Sequence, residues 1–363
     1  MSVHLFLNPM DVWLFRDCKP FNAGSDHRAE TIFPPLPTVI QGAIRTHYIE
    51  QHGGIPAYLE GKLTEVENVI GKPGSAPPET FRISGPFVAI WTEKQLTRYF
   101  PLPNHAYKHN EEIYRLLKLG SEYNVLTNLD RAIELLWKDK EATQSKREEN
   151  EGGFWLDENT LLHLLTHKRL DRSKLKKGSE LFKKELRLGI ERNDETLGSE
   201  EGAIYQAEFV RLVEDRDKQV GLYVAVEGLP DWPEQGTLML GGEGHAAAYQ
   251  KITAPPELTL PTMDSNRFTV TFLTPTYFDL GWQSVNWNDF FDTTVHLKAV
   301  AVSRPIVLGG FDVAKKEHKP ARRYVPAGST YYFEGKPSLK DKSICDNPAD
   351  GRIGFGQFIL GEW

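Results

Sequence analysis

The chain opens on an alternating stretch. Val3, Leu5 and Leu7 stand at every second position and Val12-Trp13-Leu14-Phe15 carries the apolar run onward, so residues 2–15 are predicted to form a long strand. Residues 16–33 read as a polar loop. Pro34, Pro35 and Pro37 then precede Leu36, Val39, Ile40, Ala43, Ile44 and Tyr48, which are spaced as the buried stripe of a helix, and Gly53-Gly54 would end it. Arg82 to Trp91 reads as a second strand. Beyond it, Glu111–Leu119, Asp130–Lys138 and Asn159–Leu170 read as helical stretches between charge-rich segments such as Lys138–Gly152, which predicts a helical insertion over about 104–202. Strand patterns resume at Ile204–Val213 and Val220–Val226. A helix-like piece around Trp232–Leu240 runs into Gly241-Gly242-Glu243-Gly244, and a strand at Ala246–Ile252 follows.

Thr253-Ala254-Pro255-Pro256, with Pro261 beyond it, is the linker signal. After it come strands at Arg267–Leu273, Val295–Val302 and Ser329–Phe333, a short helix start at Asn288–Phe291, the loop Gly354-Phe355-Gly356, and a last strand at Gln357–Leu360. Each half therefore ends as helix-like segment, glycine loop, strand. That order predicts an α+β fold of two ferredoxin-like (βαββαβ, RRM-like) domains, 1–256 with the helical insertion and 257–363 with the second glycine loop.

Composition narrows the class. With 363 residues, 40% hydrophobic and 26% charged, the chain matches a soluble globular protein of more than one domain. It has no apolar run near the roughly 20 residues that span a bilayer, and its start lacks a basic n-region, so no membrane partner and no leader are expected. Two cysteines, Cys18 and Cys345, make neither a disulfide framework nor a zinc site, which points to the cytoplasm. The formal charge of −7 excludes indiscriminate nucleic-acid binding but not a focused groove, and the acidic front is suited to solvent or to a basic partner protein.

One stretch runs against that charge. Between Arg304 and Arg323 stand six Lys/Arg (Arg304, Lys315, Lys316, Lys319, Arg322, Arg323) against Asp312 and Glu317. Gly309-Gly310 and Pro326-Ala327-Gly328 bracket this basic loop, and Tyr324, Tyr331 and Tyr332 offer planes on which bases could stack, while Phe311 reads as core. The glycine loops at Gly241-Gly242 and Gly354-Phe355-Gly356 would let backbone N–H groups approach phosphate oxygens, although neither is a Walker loop or a dinucleotide fingerprint. A tight turn between neighbouring elements is the plain alternative for each. A second basic cluster, Lys168 to Lys177, reads as solvated surface or a secondary contact. His27, in Asp26-His27-Arg28, could act as general acid/base in RNA cleavage with Arg28 steadying the phosphate, but holding the loop or the phosphate is the favoured role. His105/His109 and His163/His167 are i, i+4 pairs without the glutamate of a metalloprotease helix, so no metal is expected. No Gly-x-Ser-x-Gly occurs, and Cys18 lacks a triad.

Several separate motifs carry a family resemblance. They are Trp13-Leu14-Phe15-Arg16-Asp17 with Pro20-Phe21, Ala23-Gly24-Ser25-Asp26-His27, and Phe33-Pro34-Pro35-Leu36-Pro37-Thr38-Val39 with Gly42-Ala43-Ile44-Arg45. Leu240-Gly241-Gly242-Glu243, Arg304-Pro305 to Gly309-Gly310, Lys319-Pro320-Ala321-Arg322-Arg323, Val325-Pro326-Ala327-Gly328-Ser329 and Gly354-Phe355-Gly356 follow in order. With these the chain resembles the family of third subunits of the Cmr complex, the type III-B CRISPR RNA-guided effector, among the repeat-associated mysterious proteins (RAMPs). Residues 104–202 carry little of the likeness. The resemblance implies two ferredoxin-like domains and a non-catalytic, cofactor-free subunit of an antiviral ribonucleoprotein. Such a subunit holds the 5′ tag of the CRISPR RNA and joins a Cas10-type large subunit to a backbone RAMP subunit. One departure stands out: Gly244-His245 follows Gly242-Glu243 where a basic residue is expected, and His245 is mostly neutral at pH 7.

On these grounds Arg28, Arg45, Gly241, Gly242, Arg304, Gly309, Gly310, Lys315, Lys316, Lys319, Arg322, Arg323, Tyr332, Gly354, Phe355 and Gly356 are the expected RNA-binding set. The rival reading is a metal-independent RAMP endoribonuclease using His27. A nucleotide-binding protein, resting on glycine loops alone, lacks a Walker lysine.

Overall fold

The computed structural model describes residues 2–17, 28–93, 95–119, 133–138, 153–167, 169–192, 199–215, 217–258, 265–312 and 317–363. The fold is mixed α/β, dominated by antiparallel sheets with few helices. The chain divides into two units, 1–96 with 179–254 and 307–322, and 97–178 with 255–306 and 323–363. Neither unit is a continuous span, as a single cut after residue 256 would make it.

In the first unit the strands lie in the order Arg82–Trp91, Lys218–Glu227, Ser2–Pro9, Ala246–Lys251, Gln235–Met239, each antiparallel to its neighbour. The alternation of the opening strand sets its faces. Leu5 and Leu7 are buried on the side covered by the helix Pro37–Gln51, whose Ile40 and Ile44 are wholly buried. Each such aliphatic side chain contributes about 1.5–3 kcal/mol by leaving water. On the same helix His47 Nε2 meets the Tyr249 hydroxyl at 3.1 Å. The strand stops at Pro9 and does not run on to residue 15, because Trp13 exchanges backbone hydrogen bonds of 2.9 and 2.7 Å with Val210 instead. That partner belongs to a long arm, a three-stranded sheet of Phe182–Arg192, Ser199–Leu212 and the short Arg28–Ala29. The piece around Trp232–Leu240, expected to be helix-like, is the strand Gln235–Met239, whose alternation buries Leu238 and exposes Met239.

In the second unit the order is His296–Ala301, Thr330–Glu334, Arg267–Phe272, Phe358–Glu362, again antiparallel throughout. One face buries Phe268, Val270, Phe272, Tyr331 and Phe333 against Phe278, Trp287 and Phe291. The other face carries Thr269, Thr271, Thr330 and Tyr332, all nearly fully buried. Residues from 97–178 cover it: His105 Nδ1 meets Thr330 Oγ1 at 2.7 Å, and Leu165 lies against Gly361. Among the described residues of this segment strand outweighs helix, which corrects the helical expectation there. Glu112–Arg115 alternates about a fully buried Ile113 and pairs with Ala106–His109, so its period is two, not 3.6. His105 and His109 are therefore not one helical turn apart. Leu136–Trp137 is also strand, and among the described residues of the expected helices Glu158–Thr166 is the one that forms, capped by Asp157 Oδ1 accepting from Thr160 N at 2.8 Å.

Candidate nucleic-acid interface

The basic stretch is a two-stranded ribbon, Ile306–Asp312 with Glu317–Tyr324, and not a loop. Two strands alone have only edges, so Pro320, which lacks an N–H, is tolerated in the returning strand. Glu317 to Arg323 are all exposed, and Tyr324 is buried at the end of that strand. Tyr324 packs its ring, tilted, on Phe355 at 5.0 Å between centroids and donates to Asp350 at 3.2 Å, which holds the end of that strand. Gly310 faces the stem of Lys319, whose Cδ would lie 4.0 Å from an added Cβ. Gly309 is half-buried beside it. Lys319, Arg322 and Arg323 thus project along one exposed strand, and Arg304 is exposed just before the ribbon. Among the described residues no ion pair engages Arg304, Lys319 or Arg323. Lys315, Lys316 and His27 lie outside the described residues, as does the side chain of Arg28, whose backbone pairs in parallel with Gln206.

The two glycine corners differ. At the first, Gly241 (φ +101°) turns the chain against Leu14, and Gly242 N–H donates to Leu14 O at 2.8 Å. Glu243 and Gly244 remain exposed, and His245 sets its ring edge on Phe209 at 5.3 Å. The corner therefore joins the Trp13-Leu14-Phe15 motif to the loop that follows Gln235–Met239.

At the second corner every N–H is spent inside the protein. Gly354 donates to Gly351 O at 3.2 Å, Phe355 to Asp350 O at 3.1 Å, and Gly356 to Pro275 O at 2.8 Å. All three residues are buried, Phe355 to 1% exposure. This corrects the expectation that the corner offers its backbone to phosphate. Gly356 is required because its φ is +67° and an added Cβ would stand 2.2 Å from Ile344 O.

Two more expected contacts are committed elsewhere. Tyr332, 1% exposed, lies edge-on to His105 and Trp363 beside Arg115, and Tyr331 donates its hydroxyl to Trp282 O at 2.5 Å, so neither presents a face to a base. Burial pushes the Tyr332 hydroxyl up to about 12 and the His105 imidazole down to about 3. Arg45 donates to the Tyr58 hydroxyl at 3.0 Å and to the carbonyls of Ser75 and Lys72 at 3.4 Å, which pins that loop to the helix.

The long arm carries cations that the sequence pattern did not single out. Arg187 and Arg211 each reach Asp11 at 3.0 Å and Glu185 at 2.8 and 2.5 Å. Hydrogen bonds from Arg187 and then Arg211 hold the Asp11 carboxyl below its usual range. The alternation Lys183 to Leu188 was the available signal, but the surrounding charge density masked it.

Among the described residues no nucleophile or metal centre emerges. Cys345 is buried, which raises its thiol to about 11 and leaves it unreactive at neutral pH. Among the described residues no three His, Cys, Asp or Glu groups stand close enough to hold a metal ion. No helix among them is long and apolar enough to cross a membrane.

Comparison with solved structures returned a chain of the type III-B Cmr-beta complex bound to cognate target RNA. It has 16% identity and a TM-score of 0.51, with 99% of both chains covered. A chain of the same complex with cognate target RNA and AMPPnP has 17% identity and a TM-score of 0.47, covering 91% of this chain and 86% of that one. At such identity the likeness speaks for the fold alone. No curated protein sequence matches. The model of the family described as CRISPR-associated protein (Cas_Cmr3) matches residues 5–363, and these span the Trp13 motif, both glycine corners and the basic ribbon, so the chain belongs to that family.

Proposed function

We propose that this chain is a non-catalytic RNA-binding subunit of a type III-B CRISPR effector. It holds the 5′ tag of the CRISPR RNA and joins a Cas10-type large subunit to the backbone RAMP subunit. Membership of the Cas_Cmr3 family supports the assembly, and the observation that carries the RNA reading is the ribbon. Lys319, Arg322 and Arg323 stand exposed along one strand of an otherwise acidic chain, a local positive stripe suited to a single-stranded phosphate backbone. Arg304, Lys315, Lys316, Arg28 and the Gly241-Gly242 and Gly309-Gly310 turns complete the proposed contact set, with Arg45, Tyr332 and the Gly354–Gly356 corner left out.

The two sheets support a pair of ferredoxin-like domains. In each, the four main strands lie in the order second, third, first, fourth along the chain, with every neighbour antiparallel, as a βαββαβ unit requires.

Replacing Arg322 and Arg323 with Ala tests the reading. Tagged-RNA binding should weaken, and the slope of log K against log salt should fall by about 1.4, since each single-strand phosphate contact contributes about 0.7. Unchanged affinity and slope in the assembled complex would refute it. A cytoplasmic setting and the absence of catalysis belong to the same proposal. Incubating repeat RNA with the pure chain in EDTA checks the latter, because cleavage lost in His27→Ala would favour the endoribonuclease.

A further inference from the structure

The second unit carries a loop that is held firmly and still turns aliphatic side chains to solvent. Phe278 and Trp287 are buried, and their rings meet at 5.1 Å. Residues 279–286 between them therefore leave and re-enter the core at one place, the closed form of an Ω-loop. Asp346 ties the two limbs together. Its Oδ2 accepts from Asp279 N at 2.8 Å and its Oδ1 from Ser284 Oγ at 2.6 Å. Gly281 N donates to Phe278 O at 3.0 Å, and Trp282 O accepts from the Tyr331 hydroxyl, so the middle of the loop is pinned as well. Leu280 and Val285 each follow a residue bound to Asp346, and they stand 54% and 68% exposed.

A single exposed aliphatic side chain is ordinary on any surface. Here two of them leave neighbouring points of a fixed backbone, and Trp282, half-buried against the phenylalanine core, lies between them in the chain. The charge around them has one sign. From Phe268 to Leu297 stand Asp279, Asp289 and Asp292, all exposed, and no Lys or Arg. The segment 334–352 packs beside the loop through Ser338, Lys340 and Asp346, and it is neutral, with four Lys/Arg against four Asp/Glu. Among the described residues none of the three carboxylates has an ion-pair partner.

These features select the occupant. Carboxylates repel a phosphate backbone, and Leu280 and Val285 offer no aromatic plane to a base, so RNA does not suit this corner. Because the loop is already ordered by its own hydrogen bonds, little freedom is lost when it docks. Aliphatic side chains on a projecting loop fit an apolar cleft, and the carboxylates around them are complementary to a basic rim.

We infer that residues 279–286 dock on another protein subunit, seating Leu280 and Val285 in an apolar cleft rimmed by Lys or Arg. The inference rests on the chain being a subunit of a larger assembly.

The test uses the assembled ribonucleoprotein and the full chain. p-Benzoylphenylalanine in place of Gln283, in the middle of the loop, should cross-link to another protein subunit, identified by fragment mass spectrometry. The affinity of the RNA-free chain for that subunit is then titrated at low and high salt. Leu280→Asp with Val285→Asp should weaken it about tenfold or more. Asp279→Asn with Asp289→Asn should weaken it about threefold at low salt and flatten its salt dependence. Both aliphatic side chains are exposed, so a melt should show the fold intact. If the aspartates lower the melting temperature, Leu280→Ser with Val285→Ser carries the test in their place. Cross-linking to RNA, to a second copy of this chain or to nothing overturns the inference, and so does wild-type affinity in the aliphatic double variant. Tagged-RNA binding by Arg322→Ala/Arg323→Ala is measured separately, so a loop that cross-links to a protein stands even where the RNA reading fails, and the converse result removes the loop alone.

Discussion

Replacing Gly356 with Ala separates a packing glycine from a ligand-binding one. Its φ of +67° is one that residues with a Cβ rarely adopt, at a cost of about 1 kcal/mol. The new methyl would stand 2.2 Å from Ile344 O, 2.8 Å from Ile344 C and 2.9 Å from Thr276 Oγ1. Backbone cannot swing aside as a flexible side chain can, so relief costs about 1–3 kcal/mol more. Relief also stretches the hydrogen bonds Gly356 N to Pro275 O and Ile344 N to Gly356 O, 2.8 and 2.9 Å long, each contributing about 1 kcal/mol. The expected loss is about 3–5 kcal/mol in all. Gly244→Ala is the control: its φ is +72°, but nothing lies within 4 Å of the added atom, so about 1 kcal/mol is expected. Urea denaturation followed by tryptophan fluorescence compares the midpoints at constant slope. A Gly356→Ala midpoint shift no larger than that of Gly244→Ala would refute the reasoning. So would loss of tagged-RNA binding at undiminished stability, which would return the corner to the binding site.

Acid should loosen the layer that covers the second sheet. His105 has its folded pKa pushed from 6.5 to about 3 by burial and then by Arg115, so its neutral form is favoured in the fold. The resulting stability is complete above pH 6.5 and is lost as pH falls toward 3, about 2 kcal/mol being gone by pH 5. Hydrogen exchange of Ala106–His109 at the two pH values reads it, and His105→Asn should flatten the dependence. Arg98→Ala should cost about 3 kcal/mol by stranding Glu158, whose carboxylate Arg98 Nε meets at 2.6 Å with both side chains largely buried. Arg98→Met should cost as much, which a melt would show, whereas an exposed pair would give under 1 kcal/mol. Asp157→Ala should remove about 1 kcal/mol by uncapping Glu158–Thr166, detectable as faster exchange in its first turn.

The sequence revealed elements best where one period ruled. The helix at Pro37 and the strands at Arg82–Trp91, Lys218–Glu227 and Arg267–Phe272 announce themselves through unbroken stripes or alternation. The covering layer did not, because Ile113 is flanked by charges that also suit a helix surface, and only the partner strand Ala106–His109 decides the matter. Tyr332 shows the same limit from the other side. Its aromatic-rich strand looked like a stacking platform, yet both its faces are buried, one by the phenylalanine core and one by residues far earlier in the chain. Glycine-rich corners were visible as turns, but whether their N–H groups are free depends on Pro275 and Leu14, which sequence spacing does not bring near. The exposed ribbon cations were legible because their charge contrasts with the chain around them.

Since each unit draws on separated spans of the chain, no contiguous gene fragment encodes either one. Expressing 257–363 alone would leave Thr269, Thr271, Thr330 and Tyr332 wet and without their cover. A dissection of this molecule therefore calls for co-expressed pieces or a rewired chain order, and truncation data should be judged by what each cut uncovers.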